Sequence, residues 1–390
     1  MRIAIIGGGA SGLYTAIAVQ KKHPDAEVVV FEKETKMARK LYATGNGHCN
    51  LLNASLSAQA FNHPDFIAPY LTRYPFDELE KTLRSWGVET LHEGDYVYPL
   101  SYSASTYVGL LLKIAESLKI KAILNARFVD YEEKDGGFAL KIDADSQTDL
   151  FFDRLIFATG GQSTSKLGSD GKCFPLFVRH GYPLVPLEPG LAPMKIQYPE
   201  RVKGLSGFRH RANVGLLSSQ GALLYQEEGE VLFKEDGLSG IVVFNVESAY
   251  VRLGKPFGAK LVLDYFPEKS EAELLSELKA SEKKNPSFFF DAYFPAEAQS
   301  HFFTDNPRKE LSRLSQSLKQ DVFEIKAPYG FENSQVSVGG IALSSVDEHL
   351  ESRLEKGLYF VGEALDIDGF CGGFNLSWAL LSALIVRDHL

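Results

Sequence analysis

The chain has 390 residues, 45% of them hydrophobic and 23% charged, enough apolar material for two or three packed domains. Its formal net charge of −9 argues against nucleic acid as a main partner, because phosphate binding needs a basic surface. The three cysteines, Cys49, Cys173 and Cys371, form no C-x-x-C pair, which excludes a thioredoxin-type motif and a cysteine-based zinc site and points to a reducing compartment.

The first 33 residues organise the rest. Ile3-Ala4-Ile5-Ile6 reads as a strand, Gly7-Gly8-Gly9-Ala10-Ser11-Gly12 as a turn into a helix reaching Lys22, and Val28-Val29-Val30-Phe31 as a second strand ending at Glu32. The opening apolar run is too short and too broken by glycine for a signal peptide. Each part has a task when a dinucleotide binds. Gly7 permits a tight turn, Gly9 lets the backbone approach a pyrophosphate, and Gly12 lets the helix pack closely on the strand. Ala10, Ser11 and Gly12 open a helix whose free N–H groups and dipole attract phosphate. Glu32, followed by Lys33, stands about 20 residues after Gly12, where a carboxylate accepts ribose hydroxyls. An acid there favours FAD or NAD over NADP. The motif alone does not say which dinucleotide, and the alternative is a chance glycine loop.

Farther along, Ala43-Thr44-Gly45-Asn46-Gly47-His48-Cys49-Asn50 is too rich in glycine and asparagine for a regular element. It either wraps a cofactor or is an ordinary surface loop. Helices are predicted over Phe76–Gly87, with Phe76, Leu79, Leu83 and Trp86 inward, and over Ala104–Lys119. Short strands flank Glu93-Gly94-Asp95, and Ile120–Asp143 alternates like two antiparallel strands about Lys134-Asp135-Gly136-Gly137. Arg154–Phe157 is a strand running into Ala158-Thr159-Gly160-Gly161, which would bring backbone to a ligand at the carboxyl edge of a parallel sheet.

Composition shifts near Pro183. Residues 208–235 alternate like strands with a turn at Glu227-Glu228-Gly229, and helices are predicted over Ile241–Leu253, Ser270–Lys284, Ala296–Phe303 and Arg308–Lys319. Residues 187–325 therefore read as an inserted α+β region. Residues 1–186 and 326–390 make one discontinuous α/β domain, Rossmann-like and built from both chain ends. Gly357–Val361 is the last strand and runs into Gly362-Glu363. Gly372-Gly373-Phe374-Asn375 then opens the last helix, a second helix N-terminus aimed at something electron-rich. No segment approaches about 18 consecutive apolar residues, so a soluble cytoplasmic protein with no membrane partner is expected. Nothing in the pattern gives an oligomeric state.

Taken in order, these segments resemble the two-dinucleotide-binding-domain flavoprotein superfamily. More narrowly, they resemble the bacterial NAD(P)/FAD-dependent oxidoreductases that include aminoacetone-oxidase-like proteins and a bile-acid-pathway reductase. The likeness rests on Gly7-x-Gly9-x-x-Gly12 with Glu32-Lys33, on Arg39 to Asn50, and on Ala158-Thr159-Gly160-Gly161. It continues through Gly237-Leu238-Ser239-Gly240, Gly330-Phe331-Glu332, Gln335-Val336-x-x-Gly339-Gly340 and the stretch from Gly362-Glu363 to Gly372-Gly373-Phe374-Asn375. It implies extended FAD, with Lys40, Thr44, Gly45, Asn46 and Gly47 along the phosphates or near the flavin. It also implies Val129 at the adenine, Thr159, Gly160 and Gly161 at the middle, and Gly362 and Glu363 at the ribityl chain. Gly373, Phe374 and Asn375 would then face the flavin's pyrimidine edge. The family usually has arginine where this chain has His48, and proline where it has Ile241.

The expected activity is that of an FAD-dependent oxidoreductase moving a hydride between a small-molecule substrate and flavin N5, the flavin being recycled by NAD(P)H or O2. Because the sequence has no second G-x-G-x-x-G, NAD(P)H would dock transiently in a cleft between the FAD domain and the insert. His48 is the candidate acid/base, although a hydrogen-bonding loop histidine explains it as well or better. Asp366 and Asp368 read as turn and capping groups rather than metal ligands, and no metal site is expected. The competing class is an FAD-binding protein that senses or modifies a macromolecule. Replacing Glu32 by alanine is expected to weaken FAD retention without unfolding the protein.

Overall fold

In the computed structural model, which describes residues 1–144, 150–285, 291, 293–302 and 311–390, the opening strand Arg2–Ile6 lies at the centre of a five-stranded parallel sheet. The order across it is Leu358–Phe360, Arg154–Phe157, Arg2–Ile6, Glu27–Phe31 and Lys121–Ile123. Ile3, Ala4, Ile5, Val30, Leu155, Ile156, Phe157, Leu358 and Phe360 are fully buried, as continuous apolar strands covered on both faces require. The first helix, Ala10–Lys22, and the last, Phe374–His389, pack against each other. Both are apolar nearly all round, which suits helices buried rather than lying at a surface. This unit comprises Met1–Glu188 and Gln335–Leu390. Among the described residues, no helix is long and apolar enough to cross a membrane.

One expectation needs correction here. Lys121–Ile123 is not part of an antiparallel pair; it joins the parallel sheet beside Glu27–Phe31, with Ala122 opposite Val30 and Ile123 opposite Phe31. The hairpin is confined to Arg127–Lys134 and Gly137–Asp143. A strand of three residues carries too little pattern to announce its partner, and the preceding helix, Ala104–Ser117, is what returns the chain to the sheet.

The second unit, Pro189–Ser334, is built on a closed six-stranded antiparallel barrel. Around it run Met194–Ile196, Gly237–Ser239, Leu223–Lys234, Arg209–Leu217, Lys260–Asp264 and Asp321–Pro328. Val214, Leu216, Phe233, Leu261, Leu263 and Phe323 form its core. Helices Ile241–Arg252, Glu271–Lys284, Ala296–Phe302 and Leu311–Lys319 accompany it, the second opened by a Ser270/Glu273 capping box. The expected helix end at Phe303 and helix start at Arg308 lie outside the described residues.

The turn expected at Glu227-Glu228-Gly229 is also corrected. Those residues lie inside the strand Leu223–Lys234, opposite Val214, Asn213 and Ala212, and the hairpin turns instead near Gly221, whose φ is +86°. Gly229 serves packing: a Cβ there would stand 3.1 Å from Val242 Cβ on the helix above. Glu228 pairs across the strands with Arg211 at 2.8 Å, so its charge marks a solvated strand face rather than a turn.

Candidate cofactor site

In the glycine turn two positions leave no room for a side chain, and a third faces open space. Gly7 has φ +107°, and a Cβ there would lie 2.4 Å from Ala158 O. At Gly12 a Cβ would lie 1.9 Å from Gly7 O. Gly9, by contrast, has φ −75° and faces open space, where a Cβ would meet nothing within 4 Å among the described residues. It is also the N-cap of the first helix and lends no side chain to the leading N–H groups of Ala10, Ser11 and Gly12. Open space in front of an uncapped helix start is what a diphosphate needs.

Glu32 is 8% exposed and accepts from the backbone N–H of Gly8 at 2.8 Å and of Glu34 at 2.9 Å. The backbone N–H of Ala126 donates to Glu32 O at 2.9 Å, bringing in the segment that leads to Val129, which is exposed at a break in strand register. Lys33 turns to Asp170, Nζ to Oδ1 at 2.7 Å, and Arg127 approaches the same carboxylate at 3.6 Å. Burial works against the Asp170 charge, but the Lys33 hydrogen bond and the nearby cations hold its carboxyl below the usual range.

At the middle of the site, Lys40 Nζ stands 3.1 Å from Glu363 Oε2, while Glu363 Oε1 accepts from the Ser337 N–H at 2.8 Å. Ser337 Oγ accepts in turn from the Gln162 N–H at 2.8 Å. Gly161 must be glycine here, because a Cβ would fall 2.4 Å from Ser337 Oγ and 2.6 Å from Glu363 Oε1. Gly160 has φ +68° and Gly362 φ +63°; a Cβ on Gly362 would lie 2.6 Å from the Ser11 side chain, so the closing segment touches the opening helix. Thr159 Oγ1, at the turn that follows the strand Arg154–Phe157, is buried and makes no hydrogen bond among the described residues.

Thr44–Gly47 is a compact turn with Gly45, Asn46 and Gly47 all at positive φ, closed by N–H donation from His48 to Gly45 O and from Cys49 to Thr44 O, both at 3.0 Å. The last helix starts at Gly373, φ +97°, again with no side-chain cap for the N–H groups of Phe374 and Asn375. A Cβ on Gly373 would meet Leu52 O at 2.6 Å and Asn50 Oδ1 at 2.9 Å. Asn50 Oδ1 is itself buried without a hydrogen bond among the described residues. The Asn375 side chain accepts from the Gly369 N–H at 2.9 Å and donates to Gly369 O at 2.8 Å, and Phe374 meets Phe61 edge-on.

His48 is exposed. Its Nδ1 lies 3.0 Å from Tyr102 O, and its ring stacks on the Tyr102 ring at 4.2 Å. A backbone carbonyl only accepts, so Nδ1 carries the proton. Asp366 accepts from His63 Nε2 at 2.9 Å, and the Asp368 backbone N–H donates to Asn62 Oδ1 at 3.0 Å, so the closing loop is tied to His63 by one carboxylate and to Asn62 by its backbone. Burial pushes the Cys49 thiol up to about 11, away from reactivity. Among the described residues no three His, Cys, Asp or Glu side chains gather as a metal site would require.

The open space before Gly9, two uncapped helix starts and the orphaned Thr159 and Asn50 oxygens fit an extended dinucleotide such as FAD. Sequence reasoning missed Ser337, which ties Glu363 to the Gly161 turn, and the tyrosines of the hairpin Thr90–Glu93 and Tyr96–Pro99. The alternation of Tyr96 and Tyr98 was the available signal for the latter.

The model of the HI0933-like protein Rossmann domain matches residues 1–388. The chain belongs to the HI0933-like Rossmann-domain family. It is 33% identical to the 3-dehydro-bile acid delta(4,6)-reductase of Clostridium scindens, covering 97% of this chain and 96% of that protein. It is 25% identical to the ribosomal RNA dihydrouridine synthase of Escherichia coli, over 99% and 97%. Among solved structures, the 3-ketosteroid-delta4-(5alpha)-dehydrogenase of Rhodococcus jostii RHA1 shares the fold, with TM-score 0.52 and 12% identity over 99% of this chain and 96% of that one. The family and its reductase member make this chain an FAD-dependent oxidoreductase rather than a protein that only binds the cofactor.

Proposed function

We propose that the chain is a reductase that saturates a carbon–carbon double bond conjugated to a carbonyl in a small molecule. The observation that carries this reading is the whole-length similarity to the bile-acid reductase, whose name describes a 3-keto compound unsaturated at positions 4 and 6. Making dihydrouridine is the same class of chemistry, because it removes the uracil double bond conjugated to the ring carbonyl. Bound in the site, FAD supplies the two-electron carrier that takes hydride from a donor and passes it to an acceptor.

The residues divide the work along the cofactor. The N–H groups of Ala10, Ser11 and Gly12 receive the diphosphate, with Gly7 and Gly9 shaping the approach, and Glu32 receives the adenosine ribose. Lys33 is turned to Asp170, so its part is to set the position of its neighbour. The Val129 backbone would receive the adenine. Thr159, Gly160, Gly161 and Gly362 line the middle, and Lys40 and Glu363 hold the ribityl region as a pair. Thr44, Gly45, Asn46 and Gly47 together with Gly373, Phe374 and Asn375 would hold the flavin end, where helix-start donors favour negative charge on the reduced ring. NAD(P)H is the donor, docking transiently because the sequence offers no second dinucleotide turn.

Anaerobic mixing tests this. FAD-loaded protein should be bleached by NADH or NADPH and recover its colour with a 3-keto-4-ene steroid or another conjugated enone. Recovery only in air would replace the reductase with an oxidase, and a colourless protein that cannot take up FAD would overturn the flavin assignment. A second reading, reduction of uridine in ribosomal RNA, is favoured by the synthase relative and opposed by the net charge of −9. Deleting the gene and weighing ribosomal RNA fragments for the loss of two hydrogens separates the two.

A further inference from the structure

The strand Tyr96–Pro99 is held against Leu52–Asn53, with Val97 opposite Leu52 and Tyr96 opposite Asn53. Val97 is fully buried, so strand alternation places Tyr96 and Tyr98 together on the other face. That face meets both loops at the flavin end of the site. Tyr96 Cε1 lies 3.0 Å from where a Cβ on Gly372 would stand, and Tyr98 Cε1 lies 3.9 Å from the corresponding point on Gly45. The Tyr98 ring also leans on Tyr102, centroids 4.9 Å apart.

The phenol of Tyr102, against which the Tyr98 ring leans, is committed, and so are those of Tyr14 and Tyr107 on the first helix and the helix Ala104–Ser117. Tyr102 donates to Glu93 Oε2 at 3.1 Å, and the Tyr14 and Tyr107 hydroxyls pair at 2.7 Å. Tyr98 is half-buried, and its hydroxyl makes no hydrogen bond to protein among the described residues. It is a donor held in place by its ring, with its polar end left for something else.

We infer that the Tyr98 hydroxyl binds the carbonyl oxygen of the conjugated substrate and stabilises the charge that gathers there during reduction. This rests on the reading of the chain as a reductase of conjugated carbonyls. Bound FAD would supply the hydride, drawn from the nicotinamide donor, to the substrate carbon β to the carbonyl. The π pair of the double bond shifts toward the carbonyl, whose oxygen becomes an enolate oxygen. A proton from solvent then adds at the α-carbon, completing the saturated ketone, and oxidised nicotinamide leaves. Tyr98 keeps its proton throughout. Burial first, then Tyr102, Glu93, Tyr96 and Cys371, push its phenol up to about 12, so it is a neutral donor across the physiological range. An enolate oxygen accepts a stronger hydrogen bond than a ketone does, so the contact favours the transition state over bound substrate.

The test uses FAD-loaded protein, 4-androstene-3,17-dione as the probe, and the variants Tyr98→Phe and Tyr98→Gln. Tyr98→Phe should retain FAD and be bleached by NAD(P)H at the wild-type rate. Its reoxidation by the steroid should slow by about 10²-fold, the usual effect of removing one such donor. The affinity of the oxidised protein for the steroid, followed by the change in flavin absorbance, should fall several-fold. Tyr98→Gln, which restores a donor, should recover part of both. If the wild type is reoxidised and Tyr98→Phe matches it in rate and affinity, the Tyr98 assignment is wrong and the reductase reading stands. If 4-androstene-3,17-dione, 2-cyclohexenone and uridine all fail to reoxidise the wild type, the reading falls and takes the assignment with it.

Discussion

Lys40 and Glu363 stand 323 positions apart in the chain and meet at 3.1 Å. With its other oxygen on the Ser337 N–H, the Glu363 carboxylate joins three segments distant in the chain. The ion pair is partly exposed and by itself adds little stability. The Ser337 amide matters more, because Ser337 is 1% exposed and loses its acceptor in Glu363→Ala. That variant should be less stable by roughly 1–3 kcal/mol in urea unfolding of the FAD-free protein. Glu363→Gln, which keeps an acceptor oxygen, should lose clearly less.

Gly9 and Gly12 should separate folding from binding. Gly9→Ala places its methyl in open space at an ordinary φ, so the FAD-free protein should unfold within about 1 kcal/mol of wild type while FAD affinity falls steeply. Gly12→Ala drives a methyl to 1.9 Å from Gly7 O and should fail to accumulate as folded protein. Thermal melts of FAD-free material and fluorescence titration with FAD read the two effects. Equal loss of stability in both would refute the distinction.

Glu32 carries a structural duty beside the expected ribose contact. Removing its carboxylate leaves the Gly8 and Glu34 N–H groups without their acceptor, so Glu32→Ala should lose roughly 1–3 kcal/mol of FAD-free stability as well as FAD affinity. The protein should still fold. Unchanged FAD affinity would overturn the ribose assignment, whereas unchanged stability would show the two backbone bonds to be dispensable.

Asp388 on the last helix gathers Lys22 at 3.0 Å, the Tyr74 hydroxyl at 2.5 Å and its neighbour Arg387 at 2.8 Å. Burial opposes its charge, but these hydrogen bonds, led by Arg387 and followed by Tyr74 and Lys22, outweigh it and hold the carboxyl well below the usual range. A depressed folded pKa gives stability that is complete above the unfolded value, about 4, and is lost as pH falls through the lower folded one. The melting-temperature gap between wild type and Asp388→Asn should therefore be full at pH 6 to 7 and narrow below about pH 4. A gap that stays constant into acid would refute this account.

Short-range pattern was enough for much of this protein. The glycine turn, the acid after the second strand and the amphipathic helix Phe76–Ser85 depend on neighbours a few positions away, and the sequence displays them directly. The same holds for the glycine-opened last helix. Wherever the partner is remote, the sequence is silent or misleading. Gly229 looks like a turn residue because glycine usually is one, yet its reason is the approach of Val242. Lys121–Ile123 is too short to declare which strand it joins. Only folding brings Lys40 to Glu363, Ser337 to Gly161, Tyr98 to Gly45 and Tyr96 to Gly372. Local sequence sets backbone conformation, whereas close packing between segments hundreds of residues apart decides which polar atoms meet and which are left over for a ligand.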